Sequence, residues 1–154
     1  MSLNQDVQAL RTIPLFAKIE PAKLKLLAFT SERLTFMADD ELFHEGDPAD
    51  AAYIVMDGEA DVLVETPGGP VRVASVGRND IVGEIAILCD VPRTAAVKAK
   101  TDLVTLRISK DGFFHLVTQF PEVGIEIMAE LAARLHATTQ QLTAAMRERR
   151  AAAG

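Results

Sequence analysis

The sequence predicts a mostly β domain with helical flanks, and three observations carry that prediction. Short segments rich in β-branched residues recur from about residue 32 to Ile108, with turn residues between them. A helical period precedes them, and another follows Ser109. A chain of 154 residues is also long enough for one domain with a core of its own. The expected organisation is a single domain over 1–150, with helices over about 1–30, the β region over 31–108, helices over 109–150 and a tail at 151–154.

Taken in order, the first thirty residues read as helix with a break at Pro14. Pro21 suits a first helical position, and Leu24, Leu27 and Ala28 then share one face. Between them Ile13-Pro-Leu-Phe16 is an apolar turn that plugs the edge of a core. The strand candidates are Ala52–Met56, Ala60–Val64, Val71–Val76, Ala95–Ala99 and Leu103–Ile108. Asp57-Gly58 suits a tight hairpin, and Thr66-Pro-Gly-Gly-Pro70 reads as an exposed loop. Such closely spaced strands fit a barrel, a sandwich or a β-roll, which periodicity does not separate. Ser109 is placed to cap a helix whose Phe113, Phe114 and Val117 share a face, and Pro121 opens a long helix running to about Arg150.

Composition narrows the function. Hydrophobic residues at 49% and charged ones at 25% are ordinary globular usage. A net charge of −6 argues against a protein that coats nucleic acid, since phosphate contacts demand a basic face. No apolar run approaches the roughly 18 residues needed to span a membrane, and the N-terminus lacks a signal-peptide pattern. One cysteine, Cys89, fits a reducing compartment and reads as a small buried filler. The expected location is the cytoplasm.

The most informative segment is Gly83-Glu-Ile-Ala-Ile-Leu-Cys-Asp-Val-Pro-Arg-Thr-Ala-Ala-Val97. It sets one carboxylate, Glu84, and one guanidinium, Arg93, at the ends of a stretch able to form a single helical turn. That pair suits a ligand carrying a sugar hydroxyl and a phosphate: the carboxylate accepts from the hydroxyl, and the guanidinium fork meets the phosphate oxygens. Amides freed at the start of the turn, those of Ile85 and Ala86, add anion donors.

This segment resembles the phosphate-binding cassette of the cyclic-nucleotide-binding domain family, here residues 83–95. Phe43-x-Glu-Gly-Asp47 and Ala52-Tyr-Ile-Val-x-x-Gly58 stand in that family's order and spacing, so the resemblance covers roughly residues 10 to 145. It implies an antiparallel β-roll (the cyclic-nucleotide-binding jelly roll) with N-terminal helices and a long C-terminal helix. It also implies ligand-binding roles for Gly83, Glu84, Ile85, Ala86, Arg93, Thr94 and Ala95.

The long helix adds a second resemblance. Ala133-Arg-Leu-His-Ala-Thr138-Thr139 is similar to the stretch that, in the catabolite activator subfamily, brings a hydroxyl pair to the adenine. This implies Thr138 and Thr139 as base contacts and tilts the ligand to cyclic AMP. The hydroxyl of Thr94 leaves cyclic GMP open, because in some family members a hydroxyl there meets a syn guanine. Met128, Leu135 and Leu142 recur as a heptad, with Leu131, Thr138 and Ala145 as a second row. That seam fits either a helix lying back on its own roll or a homodimer through the C-terminal helix. In the transcription factors of the subfamily a helix-turn-helix domain follows this helix. Here a short Ala-Arg-rich tail follows, so no direct DNA binding is expected and the output protein is unknown.

Nothing in the sequence supports catalysis. His44, His115 and His136 have no ligand spacing, and with one cysteine no zinc site assembles. Gly-x-Ser-x-Gly and Walker patterns are missing. The expectation is a stand-alone cyclic-nucleotide sensor that works with no cofactor, metal or catalytic residue and signals by moving its C-terminal helix. A ligand-free scaffold of the same fold is the alternative.

Overall fold

The computed structural model describes residues 3–13, 16–17 and 19–153; the expected break at Pro14 lies outside them. The chain forms two compact units, one ending at Leu116 and the other beginning at Val117.

In the first unit, α1 (Leu3–Arg11) and α2 (Pro21–Thr30) lead into the strands. Pro21 opens α2, where its missing N–H leaves no helical bond unmade. Leu24, Leu27 and Ala28 are buried, as their spacing predicts. Ile13 and Phe16 are buried as well, Phe16 completely. An ion pair between Asp6 and Arg33 ties α1 to the first strand.

The strands are β1 (Glu32–Phe36), β2 (Glu41–Phe43), β3 (Ala51–Asp57), β4 (Ala60–Thr66), β5 (Gly69–Val76), β6 (Ile81–Val82), β7 (Ala96–Ala99) and β8 (Leu103–Ser109). They make two four-stranded antiparallel sheets, in the orders β1-β8-β3-β6 and β2-β7-β4-β5. This is the β-roll that the family resemblance implies. Alternate residues of β3 (Ala51, Tyr53 and Val55) join Ala60, Val82, Val97, Ala99 and Leu103 in the interior cluster between the sheets. β3 is buried on both faces, which is why it reads as one continuous apolar run. Thr105 is buried within β8, and its hydroxyl donates to the Leu34 carbonyl.

Two turns differ from the sequence reading. Asp57-Gly58 is not a hairpin, because β3 and β4 belong to different sheets and the turn carries the chain from one to the other. Gly58 has φ +94°, and a Cβ there would stand 2.3 Å from the Asp102 carbonyl oxygen, so turn chemistry and close packing both demand glycine. The Thr66–Pro70 segment is mostly strand rather than loop. Thr66 pairs with Gly69 and Glu65 with Pro70, leaving only Pro67 and Gly68 to turn. Pro70 is tolerated because β5 is an edge strand.

The helix α3 (Glu84–Cys89) sits between β6 and β7, and α4 (Lys110–Gln119) follows β8. The Ser109 hydroxyl accepts from the Gly112 N–H at 3.0 Å, the cap that the sequence predicts. On α4 the buried pair is Phe113 and Leu116, while Phe114 is exposed, so the apolar face runs at i, i+3. The second unit is dominated by α5 (Pro121–Ala153), whose 33 residues span about 50 Å. Its Met128, Leu135 and Leu142 are 63%, 69% and 60% exposed. Glu130 and Arg134 pair across one turn of its surface.

Candidate functional site

The site is built where β6 runs into α3 and where the chain returns through Pro92-Arg93 into β7. Gly83 sits at φ +85°, the left-handed region that reverses the strand into the helix. The space around it is as restrictive as its backbone. A Cβ would lie 2.6 Å from Arg93 Nη1 and 3.3 Å from both the Ala51 carbonyl oxygen and Phe43 Cε2. Gly83→Ala is therefore expected to cost about 1–2 kcal/mol from the backbone alone, lowering the melting temperature by about 2–8 °C, and to push Arg93 off its position. Thermal denaturation checks the first effect.

Glu84 opens α3 and is only 4% exposed, and Ala86 and Ile87 are buried beside it. The opposite side of this short helix faces out: Ile85, Leu88 and Cys89 are exposed. Cys89 is thus not the buried filler expected. It shares the outward i, i+4 face with Ile85, whereas the inward face is filled by Ala86 and Ile87. Thr94 is exposed, and Ala95 is buried at the entry to β7.

Arg93 is the centre of the arrangement. Its side chain is 1% exposed, and four groups hold it. Nη1 donates to the Gly83 carbonyl at 2.9 Å, and Nη2 donates to the Ala51 carbonyl at 2.6 Å. The guanidinium carbon lies 4.0 Å from the centroid of the Phe43 ring. Asp50 Oδ1 lies 3.5 Å from Nη2, while Asp50 Oδ2 accepts from Arg107 at 3.2 Å, so one exposed carboxylate is shared by two guanidinium groups. Burial pushes the Arg93 guanidinium below its ordinary range, opposed by Tyr53 and Asp50.

The fork that the sequence reading aims at a phosphate is thus engaged largely by backbone carbonyls. Nε is buried and has no partner among the described residues. A buried donor without an acceptor is costly. Backbone bonds lock the two loops together: Gly46 N–H donates to the Arg93 carbonyl, and Arg93 N–H to that of Asp47, each at 2.8 Å.

The structure brings Gly83, Glu84, Ile85, Ala86, Arg93, Thr94 and Ala95 together in the first unit. Thr138 and Thr139 are exposed residues of α5 in the second. Sequence reasoning missed Phe43, Asp50 and Ala51 as partners of Arg93. Phe43 lay within a noted motif, but nothing local marks Asp50 or a backbone carbonyl of β3. Among the described residues, no group of three or more His, Cys, Asp or Glu side chains is placed to hold a metal ion. Among the described residues, no helix is long and apolar enough to cross a membrane.

A left-handed glycine, a buried carboxylate and a dry, clamped arginine on a β-roll define a class, and comparison with known proteins gives the same one. The family model for the cyclic nucleotide-binding domain matches residues 33–120, and the chain belongs to that family. A cAMP-dependent protein kinase regulatory subunit of Emericella nidulans is 36% identical over 108 residues, 70% of this chain and 26% of that protein. The chain thus spans about a quarter of that relative's length. A cyclic nucleotide-binding-like protein from Brucella abortus is 36% identical with a TM-score of 0.63, covering 74% of this chain and 98% of the other. The catabolite activator protein of Thermus thermophilus is 26% identical with a TM-score of 0.77, over 84% of this chain and 61% of that one.

Proposed function

We propose that the protein is a cyclic-nucleotide sensor module whose ligand sits in the Gly83–Ala95 cassette. The observation that carries this reading is the buried Arg93, whose Nε lacks an acceptor, in the same cassette as the buried Glu84. A cyclic phosphate supplies the missing acceptor and a negative charge for a guanidinium held away from water. The ribose 2′-hydroxyl is the matching donor for Glu84. Ile85 and Ala86 lie in the first turn of α3, where amides have no helical acceptor, and they complete the phosphate contacts.

The ligand is cyclic AMP in preference to cyclic GMP. Two observations support this: the named cyclic-AMP-dependent relative, and the Thr138-Thr139 pair on α5, which is similar to the hydroxyl pair of the catabolite activator subfamily. Thr94, exposed and next to Arg93, is the group through which cyclic GMP competes. Calorimetric titration with both nucleotides, followed by chromatography of the recovered ligand, tests the reading. Binding with intact ligand recovered supports a sensor. Consumption of ligand makes the protein an enzyme, and no binding makes it a scaffold.

Signalling runs through α5. Its exposed Met128, Leu135 and Leu142 form an apolar heptad row, and a second copy of the same helix buries them. Ligand then shifts the arrangement of α5 by its differential affinity, about 1–3 kcal/mol for couplings of this kind. Leu135→Asp is expected to abolish the dimer in analytical ultracentrifugation and to weaken nucleotide binding with it. A variant that stays dimeric removes this seam from the account.

A further inference from the structure

We infer that Phe43 is a positioning residue for Arg93: its ring holds the buried guanidinium in the plane that leaves Nε for the ligand. The inference rests on the proposed role of Arg93 in binding phosphate.

A guanidinium that is 1% exposed ordinarily needs a counter-charge. A close carboxylate would supply one, but it would also cancel the field that attracts an anionic ligand. Asp50 offsets it only in part. Its nearer oxygen stands 3.5 Å from Nη2, its side chain is 68% exposed, and its other oxygen serves Arg107. The other direct contacts of the guanidinium are neutral. Two backbone carbonyls fix the terminal nitrogens from one edge, and the face of Phe43 lies 4.0 Å beneath the guanidinium carbon. An aromatic face stabilises a cation through its quadrupole and leaves the charge in place. The ring also blocks the guanidinium from tilting toward it about the line joining its two carbonyl acceptors.

The ring is itself anchored. Phe43 contacts Tyr53 at 6.0 Å between centroids, and Tyr53 meets Phe36 edge-on at 6.3 Å. This row of rings runs from the roll interior to the arginine. Gly83 closes the fourth side, since a Cβ there would meet Phe43 and Arg93 together. Phe43 is therefore set by the core and sets Arg93 in turn.

The test compares Phe43→Leu and Phe43→Met, which keep apolar bulk without a ring, with Phe43→Tyr, which keeps the ring. Two readouts are taken: the nitrogen-relaxation order parameter of Arg93 Nε–Hε in the ligand-free protein, and cyclic AMP affinity. A guanidinium held in one orientation has a high order parameter, and one released from the ring has a lower one. Leu or Met is expected to lower it and to weaken binding by roughly two- to thirtyfold, with Tyr restoring both. The inference is overturned if folded Leu or Met variants keep the wild-type order parameter and affinity. It is equally overturned if Tyr behaves as they do, for the ring is then only filler. Should the wild type bind no cyclic nucleotide, the functional reading fails, and the ligand-free order parameters still decide whether Phe43 positions Arg93.

Discussion

Arg93→Ala is expected to cost the most affinity of any single change in the cassette. Truncating one member of a buried charge pair costs about 2–5 kcal/mol, which corresponds to roughly 30- to several-thousand-fold in Kd. The size follows from burial: the side chain is 1% exposed, so water does not replace it at the phosphate. Arg93→Lys should recover only part of the loss. An ammonium keeps the charge, but it has no Nε edge and cannot bond Gly83 and Ala51 while presenting a further donor in the same plane. Calorimetry on variants with unchanged circular dichroism checks both. A folded Arg93→Ala protein that binds cyclic AMP like the wild type would remove the arginine from the site.

The second large effect is that of Glu84→Gln. Gln keeps the shape of the buried side chain and converts a charge-assisted hydrogen bond into a neutral one. Hydrogen bonds to charged groups contribute about 1.5–3 kcal/mol, so the change should cost up to roughly 100-fold for cyclic AMP. For 2′-deoxy cyclic AMP the penalty should shrink sharply, because the donor is already missing. The two changes form a thermodynamic cycle that isolates the contact from any general disturbance of α3. Equal penalties for the two nucleotides would mean that Glu84 does something other than hold the ribose.

Much of this architecture is legible in the sequence because its signals are local. The strands β3, β4, β5, β7 and β8 each stand out as segments of five or six residues that carry β-branched side chains between turn residues. β1 was masked by its charged residues, and β2 and β6 are too short, at three and two residues, to show a period. The turn at Asp57-Gly58 shows where locality ends. Its residues announce a reversal, yet whether the next strand pairs with the last or crosses to the other sheet is settled by contacts such as that with Asp102. Phe114 and Cys89 were misread for a related reason, since apolar character does not say which side of a helix the fold covers.

The candidate site divides along the same line. Gly83 through Ala95 was readable because the cassette is contiguous and its spacing is characteristic. Its support was not, because apart from the Gly83 carbonyl the groups that hold Arg93 come from β2, β3 and the loop before β3, more than forty residues earlier. The sequence reading aimed the guanidinium fork at the ligand. The structure engages both terminal nitrogens with carbonyls and leaves Nε. That refinement depends on backbone oxygens, which no residue letter displays.

The most direct test of the central claim is a nitrogen–proton spectrum of the labelled protein recorded with and without saturating cyclic AMP. The account predicts that the largest changes fall on the amides of Gly83, Glu84, Ile85, Ala86 and Thr94 and on the Arg93 Nε–Hε group, which should move downfield as it gains an acceptor. An unchanged cassette at millimolar ligand, or changes concentrated elsewhere on the roll, would contradict it.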